Sequence, residues 1–134
     1  MRALDRLTGT RIVSTPEVID STVWPRDVRV FRLAPDEVLV DAAIDAAWID
    51  DPDAIVVRET GFSGVWVERS AAIDFLQREC DWELPGMGQS GNEDRQLFFQ
   101  GLVAGLPLKV WFEADRVLFF VASPLAQDFA ERLR

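Results

Sequence analysis

The side chains able to do chemistry in this chain are chiefly acids and aromatics: 23 Asp and Glu, nine Phe and five Trp, against one Cys and no His. Without imidazole the usual general base for a serine or cysteine nucleophile is missing, as is the commonest zinc ligand after cysteine. Gly61-Phe62-Ser63-Gly64 has the outline of a nucleophile turn, but it lacks the full G-x-S-x-G spacing and a histidine to activate Ser63. It reads as a hairpin turn. Gly86-Met87-Gly88-Gln89-Ser90-Gly91 spells G-x-G-x-x-G, a pattern that binds dinucleotides only between a strand and a helix. Here Asn92-Glu93-Asp94 follows, and two carboxylates oppose a pyrophosphate, so a loop is expected. Asp50, Asp51 and Asp53 lack the spacing of a calcium loop. Cys80 sits between Glu79 and Asp81, with no base beside it to favour a thiolate, and lies on the apolar stripe of a helix. No catalytic and no metal-ligating residue is assigned, and no catalytic activity is expected of the chain on its own.

Aromatic residues are the better candidates for contact, because tryptophan combines large apolar area with a donor that needs a partner. Trp66 stands between Val65 and Val67, and Trp111 between Val110 and Phe112. If the valines face a core, alternation puts Trp66 on the opposite sheet face, and Trp111 raises the same question. Arg58, Phe62, Trp66 and Trp111 are therefore the candidates for ligand or partner contact. Arg58 would pair with a carboxylate and the aromatic rings would stack on a ligand ring.

The charge limits the partners. The formal net charge is −9, and residues 36–53 hold Asp36, Glu37, Asp41, Asp45, Asp50, Asp51 and Asp53 with no Lys or Arg. Such a surface repels phosphate, which argues against nucleic acid and anionic membranes as partners and leaves a protein partner or a homo-oligomer. No apolar run approaches the ~18 residues of a membrane span. MRALDRLTGTR lacks the apolar core of a signal peptide, and a single cysteine cannot form an internal disulfide, so the cytoplasm is the expected compartment.

The elements that would position these residues follow from periodicity. Residues 1–27 show no sustained period and read as an N-terminal arm packed through Val18, Ile19 and Trp24, followed by one domain over 28–134. Val28–Leu33 and Val38–Val40 flank Ala34-Pro35-Asp36-Glu37 as a hairpin. Residues 42–49 could make two helical turns before Pro52. Ile55–Val57 and Val65–Val67 read as two strands joined by a loop over 59–64, whose glycines permit positive φ. Ser70 caps a helix whose Ala72, Ile73, Leu76 and Cys80 recur at three- and four-residue spacing. Runs 97–104, 108–112 and 117–122 form a meander, and Ser123-Pro124 opens a last helix with Leu125, Ala126, Phe129, Ala130 and Leu133 on one face. The expected class is α+β: a mainly antiparallel sheet with two or three helices on one face, in a split β-α-β (ferredoxin-like) arrangement.

Three segments carry a family resemblance: VRVFRLAPDEVLV, AIVVRETGFSGVWVERSAAIDFLQRECDWELP and FFQGLVAGLPLKVWFEADRVLFFVASPLAQDFAERL. Their order, over roughly residues 28–133, resembles the gamma subunit of heterotetrameric sarcosine oxidase and the folate-binding domain of glycine-cleavage aminomethyltransferases. The shared features are an L-x-P-D-E strand turn, a helix ending in C-D-W-x-L-P, and a closing strand followed by an S-x-x-A-x-x-F helix. The resemblance implies a non-catalytic accessory domain beside larger flavin-bearing subunits, in an oxidoreductase or one-carbon assembly. A folate-like ligand is implied by the resemblance only, and no cofactor is otherwise expected. No position matches the transferases' catalytic aspartate. The alternative is a binding domain for a folate-like or other aromatic small molecule.

Overall fold

The computed structural model describes residues 3–81 and 97–133. Its strands are β1 (Asp5–Val13), β2 (Val30–Ala34), β3 (Glu37–Val40), β4 (Ile55–Glu68), β5 (Leu97–Val103), β6 (Leu106–Phe112) and β7 (Arg116–Ala122). Its helices are α1 (Pro16–Ser21), α2 (Arg69–Glu79) and α3 (Ala126–Arg132). Hydrogen-bonded neighbours follow the order β2-β3-β1-β4-β7-β6-β5. The registers of β1 with β3, β2 with β3, β4 with β7, β5 with β6 and β6 with β7 are all antiparallel.

This overturns the α+β, ferredoxin-like expectation. A split β-α-β unit joins through its helix two parallel strands that flank a single third strand. Here β4 and β5, the strands before and after α2, are separated by both β7 and β6, and the three antiparallel pairings between them make β4 and β5 antiparallel. The architecture is mainly β. The longest helix among the described residues has 11 residues, and the segment read as an unpatterned arm contains a nine-residue strand, β1.

The chain divides into two compact units, Leu7–Gly61 and Met1–Arg6 with Phe62–Arg134. Strand β4 contributes residues 55–61 to the former and 62–68 to the latter. The loop expected over 59–64 is instead the middle of this 14-residue strand. Neither Gly61 nor Gly64 has positive φ; among the described glycines only Gly105 does. A Cβ on Gly64 would lie 2.8 Å from the Phe119 carbonyl oxygen and 3.0 Å from the Phe120 Cβ. The glycine therefore answers a close approach inside a sheet and not a turn. The turn that does need left-handed backbone is Ala104-Gly105, at φ 52° and 79°, which links β5 and β6 in the conformation a two-residue hairpin requires.

Within Leu7–Gly61, α1 starts at Pro16 behind Thr15, whose hydroxyl accepts the Val18 N–H at 3.2 Å. Ile12, Ile19, Val38, Val40 and Ile49 form the core, with Val18 and Trp24 packed on it. The β2-β3 hairpin closes over Pro35 and Asp36, with an irregular register between Arg32 and Ala34. In place of two helical turns over residues 42–49 there is one short 3-10 turn, Ala46–Trp48, capped by the Asp45 carboxylate accepting the Ala47 N–H at 2.9 Å.

In the second unit, α2 and α3 pack on one face of the sheet. Ala72, Phe75, Leu76 and Phe129 meet Val67, Val110, Phe112, Val117, Phe119 and Val121 there. The caps differ from expectation. The Ser70 hydroxyl donates to Glu68 Oε1 at 2.6 Å, and Ser123 pairs with the Ser63 hydroxyl at 2.8 Å, so neither serine caps its helix. No helix among the described residues is long and apolar enough to cross a membrane.

Candidate functional site

The cavity belongs to Leu7–Gly61. Strand β3 ends at Val40, and the chain beyond it is fastened to β1 by one side chain. The Thr10 hydroxyl donates to the Ala42 carbonyl at 2.7 Å and accepts the Ile44 N–H at 2.9 Å. Gly9, next to Thr10, has no room for a side chain, since a Cβ would sit 2.2 Å from the Val40 carbonyl oxygen. Between this segment and β4 lies a cavity of about 340 Å³ lined by residues 8–10, 41–44 and 56–58. Its volume is at the small end of the range of about 300–1,000 Å³ typical of ligand pockets.

Two charged residues line it, in opposite states. The Asp41 carboxylate accepts the Arg29 backbone N–H at 2.6 Å and Arg29 Nη1 at 3.0 Å, so its charge is neutralised within the fold. The Arg58 guanidinium is exposed and makes no hydrogen bond or ion pair with any described residue. Thr8, also exposed, lines the same cavity with an uncommitted hydroxyl. Alanine, isoleucine and valine side chains make the rest of the wall; no aromatic residue lines the cavity.

The second unit carries an aromatic sheet face. Cross-strand register sets Trp66, Leu118, Trp111 and Phe98 in one row and Gly64, Phe120, Lys109 and Gln100 in the next. Phe62 meets Phe120 edge-on at 5.6 Å between centroids, and Phe98 stacks on Phe120 at 6.2 Å. The space left by Gly64, level with Phe120, permits this packing. Lys109 Nζ lies 5.3 Å from the Phe62 ring centroid. The Trp111 indole donates to Glu113 Oε2 at 3.0 Å. This is the face opposite Val67, Val110 and the helices, as the alternation of β4 and β6 requires.

Phe62, Trp66 and Trp111 thus share one sheet face of the second unit, while Arg58 lines a cavity of the first. Trp111 is only 6% exposed, whereas Phe62 and Trp66 are partly exposed. Ser63 is buried against Ser123 and is no exposed nucleophile. The Asp51 carboxylate is occupied: Oδ2 accepts the Ser14 hydroxyl at 2.5 Å and Oδ1 the Asp53 N–H at 2.9 Å. These bonds, the Ser14 one foremost, hold its pKa below the ordinary value of 3.8. Among the described residues no three acids or cysteines gather closely enough to hold a metal ion. Cys80 is half-buried against the core under α2. The G-x-G-x-x-G stretch and Trp82 of the C-D-W-x-L-P segment lie outside the described residues.

Sequence reasoning missed Thr8, Gly9, Thr10 and the segment 41–44. One signal was present: a glycine between two β-favouring threonines marks a strand approached closely by another backbone. No protein-family model matches the chain, and no curated protein matches it.

Proposed function

We propose that the chain is a non-catalytic accessory domain that acts by contact with a larger partner protein, in an oxidoreductase or one-carbon assembly of the kind its sequence resembles. The observation that carries this reading is Trp48. Its side chain is 49% exposed although its indole N–H is anchored to the Val23 carbonyl at 2.9 Å, and Val23 itself is 82% exposed. A large apolar ring held in a fixed pose at the surface loses little entropy on docking, and tryptophan is enriched where interface energy concentrates. The same unit also exposes Ile55 and Val57. Trp111, at 6% exposure, offers little to a partner, so the contact surface is assigned to Trp48 and Val23. The single cysteine fits a reducing cytoplasm.

The test is to mix the protein with the flavin-bearing subunits of an amine oxidoreductase from the same genome and follow the masses by light scattering after gel filtration. A complex is expected, weakened about tenfold or more by Trp48→Ala. A protein that stays monomeric in every mixture refutes the reading.

A second reading, a small-molecule binding domain, is favoured by the unpaired Arg58 guanidinium at the cavity wall.

A further inference from the structure

We infer that the cavity in Leu7–Gly61 is a binding site for a small aliphatic carboxylate, with the carboxylate on Arg58 and Thr8 and the carbon chain against Ile44 and Val56. This rests on the small-molecule reading and names its ligand class.

The argument begins with charge. Asp41 is neutralised by two bonds from Arg29, so the cavity's uncommitted charge is the positive one of Arg58. A guanidinium presents two parallel N–H donors that match the two oxygens of a carboxylate, and the Thr8 hydroxyl can supply a third. Thr10 has no donor left to give, because its hydroxyl already donates to Ala42 while accepting from Ile44. Anion recognition therefore falls at the Arg58 end.

The apolar wall decides the rest of the ligand. Ile44 and Val56 are partly buried and pack on the unit's core, so they present fixed aliphatic surface. No ring is available among the lining residues to stack on a pterin or flavin. A volume of about 340 Å³ suits a short chain better than a fused ring system with its substituents. Gly9 keeps the segment 41–44 close to β1, which fixes the wall that faces the ligand.

The experiment is a titration of the ¹⁵N-labelled full chain, followed by amide shifts in two-dimensional NMR, with butyrate, butyramide, sulfate and a pterin as separate probes. Butyrate is expected to shift the amides of Thr8, Gly9, Ala43 and Arg58 saturably. Butyramide, of the same shape without the charge, should bind about tenfold or more weakly, and Arg58→Gln should weaken butyrate by a similar factor. Arg58 is exposed and unpaired, so the variant should keep the dispersed spectrum of the parent. Arg58→Lys should retain part of the affinity through charge alone. Butyramide binding as well as butyrate, or butyrate binding unchanged in Arg58→Gln, overturns the inference. So does sulfate binding equally well, since the site would then be an indiscriminate anion site. A pterin that binds where butyrate does not refutes the carboxylate assignment yet keeps the small-molecule reading; no saturable shift from any probe ends both.

Discussion

The guanidinium carbon of Arg116 lies 3.8 Å from the centroid of the Trp66 ring, while Arg116 Nε donates to Glu113 Oε1 at 3.3 Å. The other Glu113 oxygen accepts the Trp111 indole, and the Glu113 carbonyl accepts Arg69 Nη1 at 2.8 Å. Glu113, just past the end of β6, thus ties together two cations and a tryptophan: Arg116 and Trp111 by its carboxylate, and by its carbonyl Arg69, whose guanidinium lies over Phe112 of the helix-covered face. Trp66 is covered in part by a charge whose own position is fixed by hydrogen bonding.

The contact between Arg116 and Trp66 should therefore be measurable as a coupling. In a double-mutant cycle of Arg116→Gln and Trp66→Leu, the interaction should come to about 0.5–1 kcal/mol, the range for a partly exposed cation over a ring. The Arg116 side chain is 44% exposed, which keeps the value toward the lower end. Chemical denaturation of the four proteins measures it; a coupling indistinguishable from zero means that the two side chains merely lie side by side.

The two glycines of β4 should respond oppositely to alanine. At Gly64 the added carbon meets the Phe119 carbonyl at 2.8 Å, so Gly64→Ala should cost about 1–3 kcal/mol, the range for an overpacked interior. At Gly61 it meets only the far end of the Glu59 side chain, at 3.0 Å, which can shift with little cost, and φ is not positive. Gly61→Ala should be neutral or stabilise by up to about 1 kcal/mol through the unfolded chain. The urea midpoints decide: a strongly destabilised Gly61→Ala would restore the turn that β4 replaces.

Those glycines also mark the boundary of what the sequence could tell. The β2-β3 hairpin, the β5-β6-β7 meander and the helices α2 and α3 are legible because each is declared by local alternation, local spacing or a turn signal within its own residues. Period two sets Trp66 opposite Val65 and Val67, but that Trp111 shares its face follows only from the register of both tryptophans with Leu118. What was not legible depends on distant partners. Gly64 means strand only because the Phe119 carbonyl passes beside it, and Gly9 means cavity wall only because Val40 does. Strand β1 was missed for the same reason: Thr10 pairs with Val40, thirty residues on, and nothing nearby announces it. Arg58 could be chosen by type, but its cavity required knowing where residues 41–44 run.

Phe129 tests what holds α3 to the sheet. Its side chain is fully buried, with ring centroids 6.0 Å from Phe75 and 5.8 Å from Phe119, both edge-on. Phe129→Ala removes area and both ring contacts and should cost about 3–5 kcal/mol, a large share of the ~5–15 kcal/mol that such a chain has in total. Phe129→Leu should cost clearly less. Denaturation midpoints and the near-ultraviolet signal report both; an alanine variant within about 0.5 kcal/mol of the parent would mean that α3 is not docked there.

Asp51 makes stability depend on pH in a direction set by its hydrogen bonds. The Ser14 hydroxyl and the Asp53 N–H both donate to the ionised carboxylate, so its folded pKa lies below 3.8, near which the unfolded chain titrates. A depressed pKa means that the unfolded state binds the proton first, so the stabilisation is fully present above the unfolded value. It is lost as the pH falls through the folded value and is gone below both. Asp51→Asn keeps the turn but cannot ionise. The gap in melting temperature between parent and variant should be constant above about pH 5 and should close on acidification below pH 4. Ser14→Ala should reduce the same acid-dependent step, because it removes the larger of the two causes. A gap that stays constant down to pH 2 would show that the ionised form gains nothing from Ser14.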